Sequence, residues 1–133
     1  MDWKKPLFAA AALLAVAPSM AAASPLEGRW INPKHSVTVR IGACGPTMCG
    51  RVVDASPRAR EKAAAGGTPN LIGTPLLTNL AAANGGWKGS VFVPDHNIRA
   101  SANLKLLAPN QLKVQGCVLA GLLCRSQVWT RID

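Results

Sequence analysis

Four cysteines and two histidines hold most of the latent chemistry of this 133-residue sequence, and neither set is spaced for catalysis. His35 and His96 stand far apart, one beside a strand start and one in a turn, where a polar residue needs no chemical reason. No Gly-x-Ser-x-Gly elbow, pair of carboxylates on one element or phosphate-cradling glycine loop accompanies them. The expectation is therefore a protein that is not an enzyme and uses no cofactor and no metal. The cysteines at 44, 49, 117 and 124 are poorly spaced for a four-cysteine zinc site, and no Cys-x-x-Cys redox motif occurs. Of the three connectivities that four cysteines allow, Cys44 with Cys49 and Cys117 with Cys124 is preferred, because each pair brackets a hairpin tip. In the chain-entropy model each short loop contributes roughly 2 to 2.5 kcal/mol, so the bridges pin tips rather than hold the fold together.

Disulfides need an oxidising compartment, and the N-terminus supplies a route to one. Lys4 and Lys5, the apolar run from Pro6 to Ala17 and the small residues ending Ala21-Ala22-Ala23 form the pattern of a secretory signal. Cleavage is expected before Ser24, giving a signal peptide over 1–23 and a single domain over 24–133 in the periplasm. The apolar run is shorter than the ~20 residues that span a bilayer, no Cys at the cut could take a lipid, and no transmembrane segment is expected after cleavage. The mature chain keeps 13 basic and 5 acidic residues, a net charge of +8. A pI near 10.2 invites nucleic acid, but export argues against it, and Trp30, Trp87, Phe92 and Trp129 do not interleave with a basic run. The basic surface is either simply solvated or attracts anionic envelope material such as lipid head groups or acidic glycans.

The elements that must position these residues are short and extended. Gly28 to Asn32 is a short strand ended by Pro33. In Ser36 to Val53, Val37, Val39 and Ile41 alternate with Thr38 and Arg40, Gly45-Pro46 breaks the run, and Gly50 to Val53 resumes it, which is a hairpin. Asp54 to Asn70 is rich in Ala, Gly, Pro and charge without a periodicity that buries a face, and it reads as a mobile loop with at most one helical turn after Pro57. Leu71 to Asn84 fits either a helix opened by Thr74-Pro75 or a strand over Pro75 to Leu80. Trp87 to Val93 is a strand, and Ile98 to Leu106 shows the cleanest alternation in the chain. A strand with Leu112 and Val114 inward leads to the Cys117–Cys124 hairpin, and Arg125 to Ile132 is the last strand. An extended Pro75–Leu80 brings the count to eight, and an eight-stranded antiparallel meander closes without an unpaired edge. That closure decides for the strand. The expected fold is all-β, a barrel just wide enough to fill with side chains or to hold one small ligand.

Parity then assigns faces. Cys44 shares parity with Thr38 and Arg40, and Cys117 with Lys113 and Gln115, so both bridges lie outside. Facing hairpin residues point the same way, so Cys124 is outside too, and Arg125, Gln127, Trp129 and Arg131 point into the barrel with Leu104, Leu106, Leu112 and Val114. Buried cations need partners, and Glu27, Asp54 and Asp95 are the acids best placed to serve. Either a bulge near Cys124 resets the parity, or the cavity is wet and cationic and suits the head group of an anionic amphiphile, with the leucines and Val114 around its tail.

Gly28-Arg29-Trp30, Cys44-Gly45 with Cys49-Gly50-Arg51, Gly86-Trp87-Lys88-Gly89, Pro94 in its turn, Leu112-Lys113-Val114-Gln115-Gly116 and Gln127-Val128-Trp129-Thr130-Arg131 follow one another in an order and spacing similar to the domain-of-unknown-function 2147 family of small exported bacterial proteins. The resemblance covers nearly all of the mature chain and implies a lipocalin-like (calycin) β-barrel with no established activity. It also implies structural roles for Gly28 and Trp30, with Arg131 packed over the Trp30 ring, as in the Gly-x-Trp opening and closing Arg of lipocalins. The turn Pro94–Asn97 lacks the Gly expected there, and the loop after Asp54 lacks the family's frequent Asn-Pro-Asp. Two functions from different classes follow: a carrier or sensor for a small hydrophobic or anionic amphiphile, and an envelope interaction module, an inhibitor or assembly factor, acting through its loops. A strongly basic c-type lysozyme would be repelled by a +8 partner and is a poor target for the second.

Overall fold

Alternating apolar and polar residues become eight strands in a computed structural model that describes residues 24–133; the signal peptide expected over 1–23 lies outside the described residues. The strands are β1 (Gly28–Ile31), β2 (Val37–Cys44), β3 (Thr47–Ala55), β4 (Pro75–Ala83), β5 (Gly86–Val93), β6 (Ile98–Ala108), β7 (Gln111–Val118) and β8 (Leu123–Arg131), with one helix, α1 (Pro57–Ala65), between β3 and β4. Each strand pairs antiparallel with the next, and β8 returns to β1 to close the barrel. The ambiguous segment is extended, as β4, and runs three residues beyond Leu80 to Ala83.

Consecutive hairpins put their turns at alternate ends. The β2–β3, β4–β5 and β6–β7 turns share one end with both flanks of the barrel, Ser24–Glu27 and Ile132–Asp133. The β1–β2 loop, α1, the Pro94–Asn97 turn and the β7–β8 tip share the other. Leu26, Trp30, Ile41, Leu77, Leu80, Leu104 and Leu112 are fully buried and fill the first end. Gly50 has to be glycine within this plug, since a Cβ there would meet Val39 Cγ1 at 2.9 Å and Leu77 Cδ1 at 3.3 Å.

The loop expected between Asp54 and Asn70 is instead largely helical. Ser56 is the N-cap, accepting a hydrogen bond from the Ala59 N–H at 3.1 Å, and Pro57 follows it inside the first turn, where its missing N–H and fixed φ do no harm. Apolar periodicity gave no sign of α1 because it buries only a small side chain, Ala63. Its C-terminal end is held against the turn before β6. Thr68 Oγ1 donates to the Pro94 carbonyl at 3.1 Å, and a Cβ on Gly66 would overlap the Asp95 carbonyl oxygen.

Candidate functional site

Parity along β7 and β8 is unbroken. Cys117 faces Cys124, Gly116 faces Arg125, Val114 faces Gln127 and Leu112 faces Trp129, with no shift of register anywhere in the pair. No bulge turns the strand over. Both cysteine pairs are bridged as expected. Cys117 and Cys124 face one another directly, whereas Cys44 faces Thr47 and Cys49 faces Gly42, so the first bridge runs diagonally across its hairpin rather than between opposed residues.

The inward arginines of β8 have different fates. Arg131 lies at the filled end with its Cζ 4.3 Å from the centre of the Trp30 ring. Its Nε donates to the Pro109 carbonyl at 3.0 Å, one Nη to the Glu27 carbonyl at 2.6 Å and the other to the Pro25 carbonyl. Trp30 is fully buried and donates its indole N–H to the Leu26 carbonyl at 2.9 Å. The expected Trp–Arg packing is present, and Arg131 closes the barrel rather than lining a cavity. Backbone carbonyls, not carboxylates, satisfy it: Glu27 contributes its main chain, while Asp54 is exposed on β3.

Arg125, six positions earlier, lines a cavity of about 660 Å³ in the other half of the barrel, together with Gln127, Trp129 and Val114. Leu104, Leu106 and Leu112, expected around the same space, do not line it. Leu112 is level with Trp129, which forms the floor, and Leu104 is level with Trp87, so these leucines pack below the floor in the filled half. The apolar wall comes instead from Val37, Val39, Leu71, Leu76, Val91 and Val93. Alternation marked several of these as inward but could not show how deep each would sit.

The polar groups of the cavity are mostly donors. Gln127 Oε1 accepts the Trp129 indole N–H at 2.9 Å, which leaves the Gln127 amide N–H groups facing the cavity beside the Arg125 guanidinium. Asn32, also in the wall, spends its oxygen on the Ser36 and Val37 N–H groups at 2.8 and 3.0 Å. Around the rim stand Lys34, Lys62 and His96, with Asp95 as the one carboxylate. Among the described residues Arg125 forms no hydrogen bond and no ion pair. Lys62 reaches the rim from α1, which the sequence reading held to one helical turn. Ser56-Pro57 followed by helix-forming residues and Gly66-Gly67 was the available signal.

β1 accompanies β8 only through Trp30 with Arg131 and Ile31 with Thr130. From Leu123 to Val128, β8 has β7 on one side and no strand on the other, and its residues there are exposed. The cavity consequently opens along a seam between β8 and the β1–β2 loop as well as at the barrel end.

This closed meander, stapled at both hairpins and stacked Trp-on-Arg at one end, matches the family model DUF2147, "Uncharacterized protein conserved in bacteria", over residues 28–131. The chain belongs to this family. Among solved structures it is similar to HP1028 from the human pathogen Helicobacter pylori, described as belonging to the lipocalin family, with a TM-score of 0.63 and 12% identity over 81% of this chain and 83% of that one. At that identity the likeness is one of fold, and the DUF2147 barrel is lipocalin-like. No curated protein matches the chain.

Proposed function

We propose that this DUF2147 protein binds a small anionic amphiphile in the cell envelope, as a non-enzymatic carrier or sensor, and works in the periplasm. The observation that carries the reading is the cavity's division of labour: an apolar wall of valines and leucines around two inward donors, Arg125 and Gln127, with the Gln127 amide oxygen already taken by the Trp129 indole N–H. A volume of about 660 Å³ falls within the range of small-molecule sites, which are apolar with a few placed polar groups. A carboxylate or phosphate head would receive charge-assisted hydrogen bonds from Arg125, while the tail would lie against Val39, Val91 and Val114. The two disulfides fit an oxidising compartment, and no described helix is long and apolar enough to cross a membrane.

The test is titration with a fluorescent fatty-acid analogue. Wild type should bind it, and Arg125→Ala and Gln127→Ala should each weaken binding, the former by roughly tenfold, as for the loss of one charged hydrogen bond. If wild type fails to bind, or both variants bind as tightly as wild type, the reading is wrong.

A further inference from the structure

The tip between β7 and β8 gathers the most exposed large apolar side chains among the described residues. Leu119 is 69% exposed, Leu122 86% and Leu123 52%. They cap a hairpin whose last facing pair outside the cavity is the Cys117–Cys124 bridge, and Leu119 and Ala120 both hold the left-handed backbone conformation, with φ of 55° and 54°. The hairpin projects beside the cavity mouth, which Val118 and Leu123 line, and no strand flanks it on the β1 side. Lys34, Lys62 and Arg125 stand around the same mouth against Asp95, and α1 adds Arg58 and Arg60 with Glu61.

We propose that the open end of the barrel docks on an anionic lipid surface, with Leu119, Leu122 and Leu123 entering the acyl boundary and the rim cations meeting the head groups. Clustered leucines beside cations are the chemistry of interfacial binding, in which apolar insertion and attraction to anionic lipid add. A second copy of the chain is a poorer occupant, because two chains of +8 repel one another. Docking in this pose turns the mouth and its lateral seam toward the lipid, so a bound amphiphile would pass between bilayer and cavity without crossing water. That use rests on the ligand reading above. The docking itself does not.

Flotation with vesicles, using protein as processed by its own host, separates the two. Wild type should float with vesicles of phosphatidylglycerol and phosphatidylcholine, should stay behind with phosphatidylcholine alone, and should release as ionic strength rises. Leu119→Ser/Leu122→Ser should lower partitioning by roughly tenfold or more while leaving the affinity for the fluorescent fatty-acid analogue in vesicle-free solution unchanged. Failure of wild type to float with anionic vesicles, equal flotation of the double variant, or a Leu122-dependent dimer in solution would each overturn the docking, and none would bear on the cavity. Loss of analogue binding by Gln127→Ala with flotation intact would keep both proposals.

Discussion

Arg125 and Arg131 sit on the same face of the same strand, six residues apart, and the barrel treats them in opposite ways. Arg131 is stacked on Trp30 and shared among the carbonyls of Pro25, Glu27 and Pro109, so the chain leading into β1 and the turn between β6 and β7 are tied through one guanidinium. Arg125 faces open space beside Gln127. At one end an inward cation is consumed by the fold, and at the other it is left for something else. The difference follows from what packs around each. The filled end has Trp30, Leu26 and the β6–β7 turn folded over it, whereas the open end has a nine-residue helix that brings only Ala59, Ala63 and Lys62 near the cavity and core.

Breaking the filled end should have the largest effect. Trp30→Ala removes a fully buried indole and orphans the Leu26 carbonyl, and should cost about 3 to 5 kcal/mol in urea denaturation. A loss of less than about 1 kcal/mol would show that the plug tolerates a hole and does not define that end of the barrel. Arg131→Ala should cost about 2 kcal/mol through the lost cation–π contact and unserved carbonyls, against no more than ~0.5 kcal/mol for Arg125→Ala. Equal losses for the two arginines would erase the contrast between them.

The bridges sharpen the same comparison by a smaller amount. Replacing Cys117 and Cys124 together by Ser should cost about 2 kcal/mol, the low end of the short-loop figure, with faster amide exchange confined to the β7–β8 tip. Protection lost throughout the barrel would mean that the open end is not a separate, looser region. The smallest effect belongs to the exposed pair of Arg29 Nε with Asp133 Oδ2 at 2.8 Å. The hydrogen bonds and charge of Arg29 hold the Asp133 carboxyl below its ordinary value of 3.8. A depressed folded-state value means that the pair's contribution is present above the ordinary carboxylate range and is lost as pH falls through the lowered one. Asp133→Asn should therefore lower Tm slightly at neutral pH, and the gap from wild type should close in acid. A gap that widened in acid would reverse the assignment.

Much of this arrangement is legible in local sequence. Period-two alternation placed Val39, Ile41, Ala102, Leu112 and Val114 inside, where all are buried, because the face of a strand residue depends only on its neighbours along the chain. The same parity set Arg125 and Gln127 inward once the Cys117–Cys124 pair anchored it. Residues 71–84 looked ambiguous by periodicity, yet the turn itself held the answer: Asn84 and Gly85 both have positive φ, 50° and 77°, the conformation a two-residue hairpin requires and Asn-Gly supplies. Helix α1 had capping signals but no apolar stripe, so the reading that looked for a buried face held it to one turn.

Local sequence thus determined which side of the sheet the alternating residues face and favoured the cysteine pairing that forms, while the family resemblance put Arg131 over Trp30. Only the tertiary structure decided depth. Leu104 and Leu112 share a face with Val114 and Gln127, but the level each occupies along the barrel depends on strand register, on how far β1 follows β8, and on which side chains from distant strands meet at the same height. Those are long-range quantities, with Trp30 and Arg131 a hundred residues of chain apart before closure joins them. Period two carries no information about them, and so the boundary between the filled and hollow halves of the barrel, with one arginine on each side of it, is a property of the closed fold.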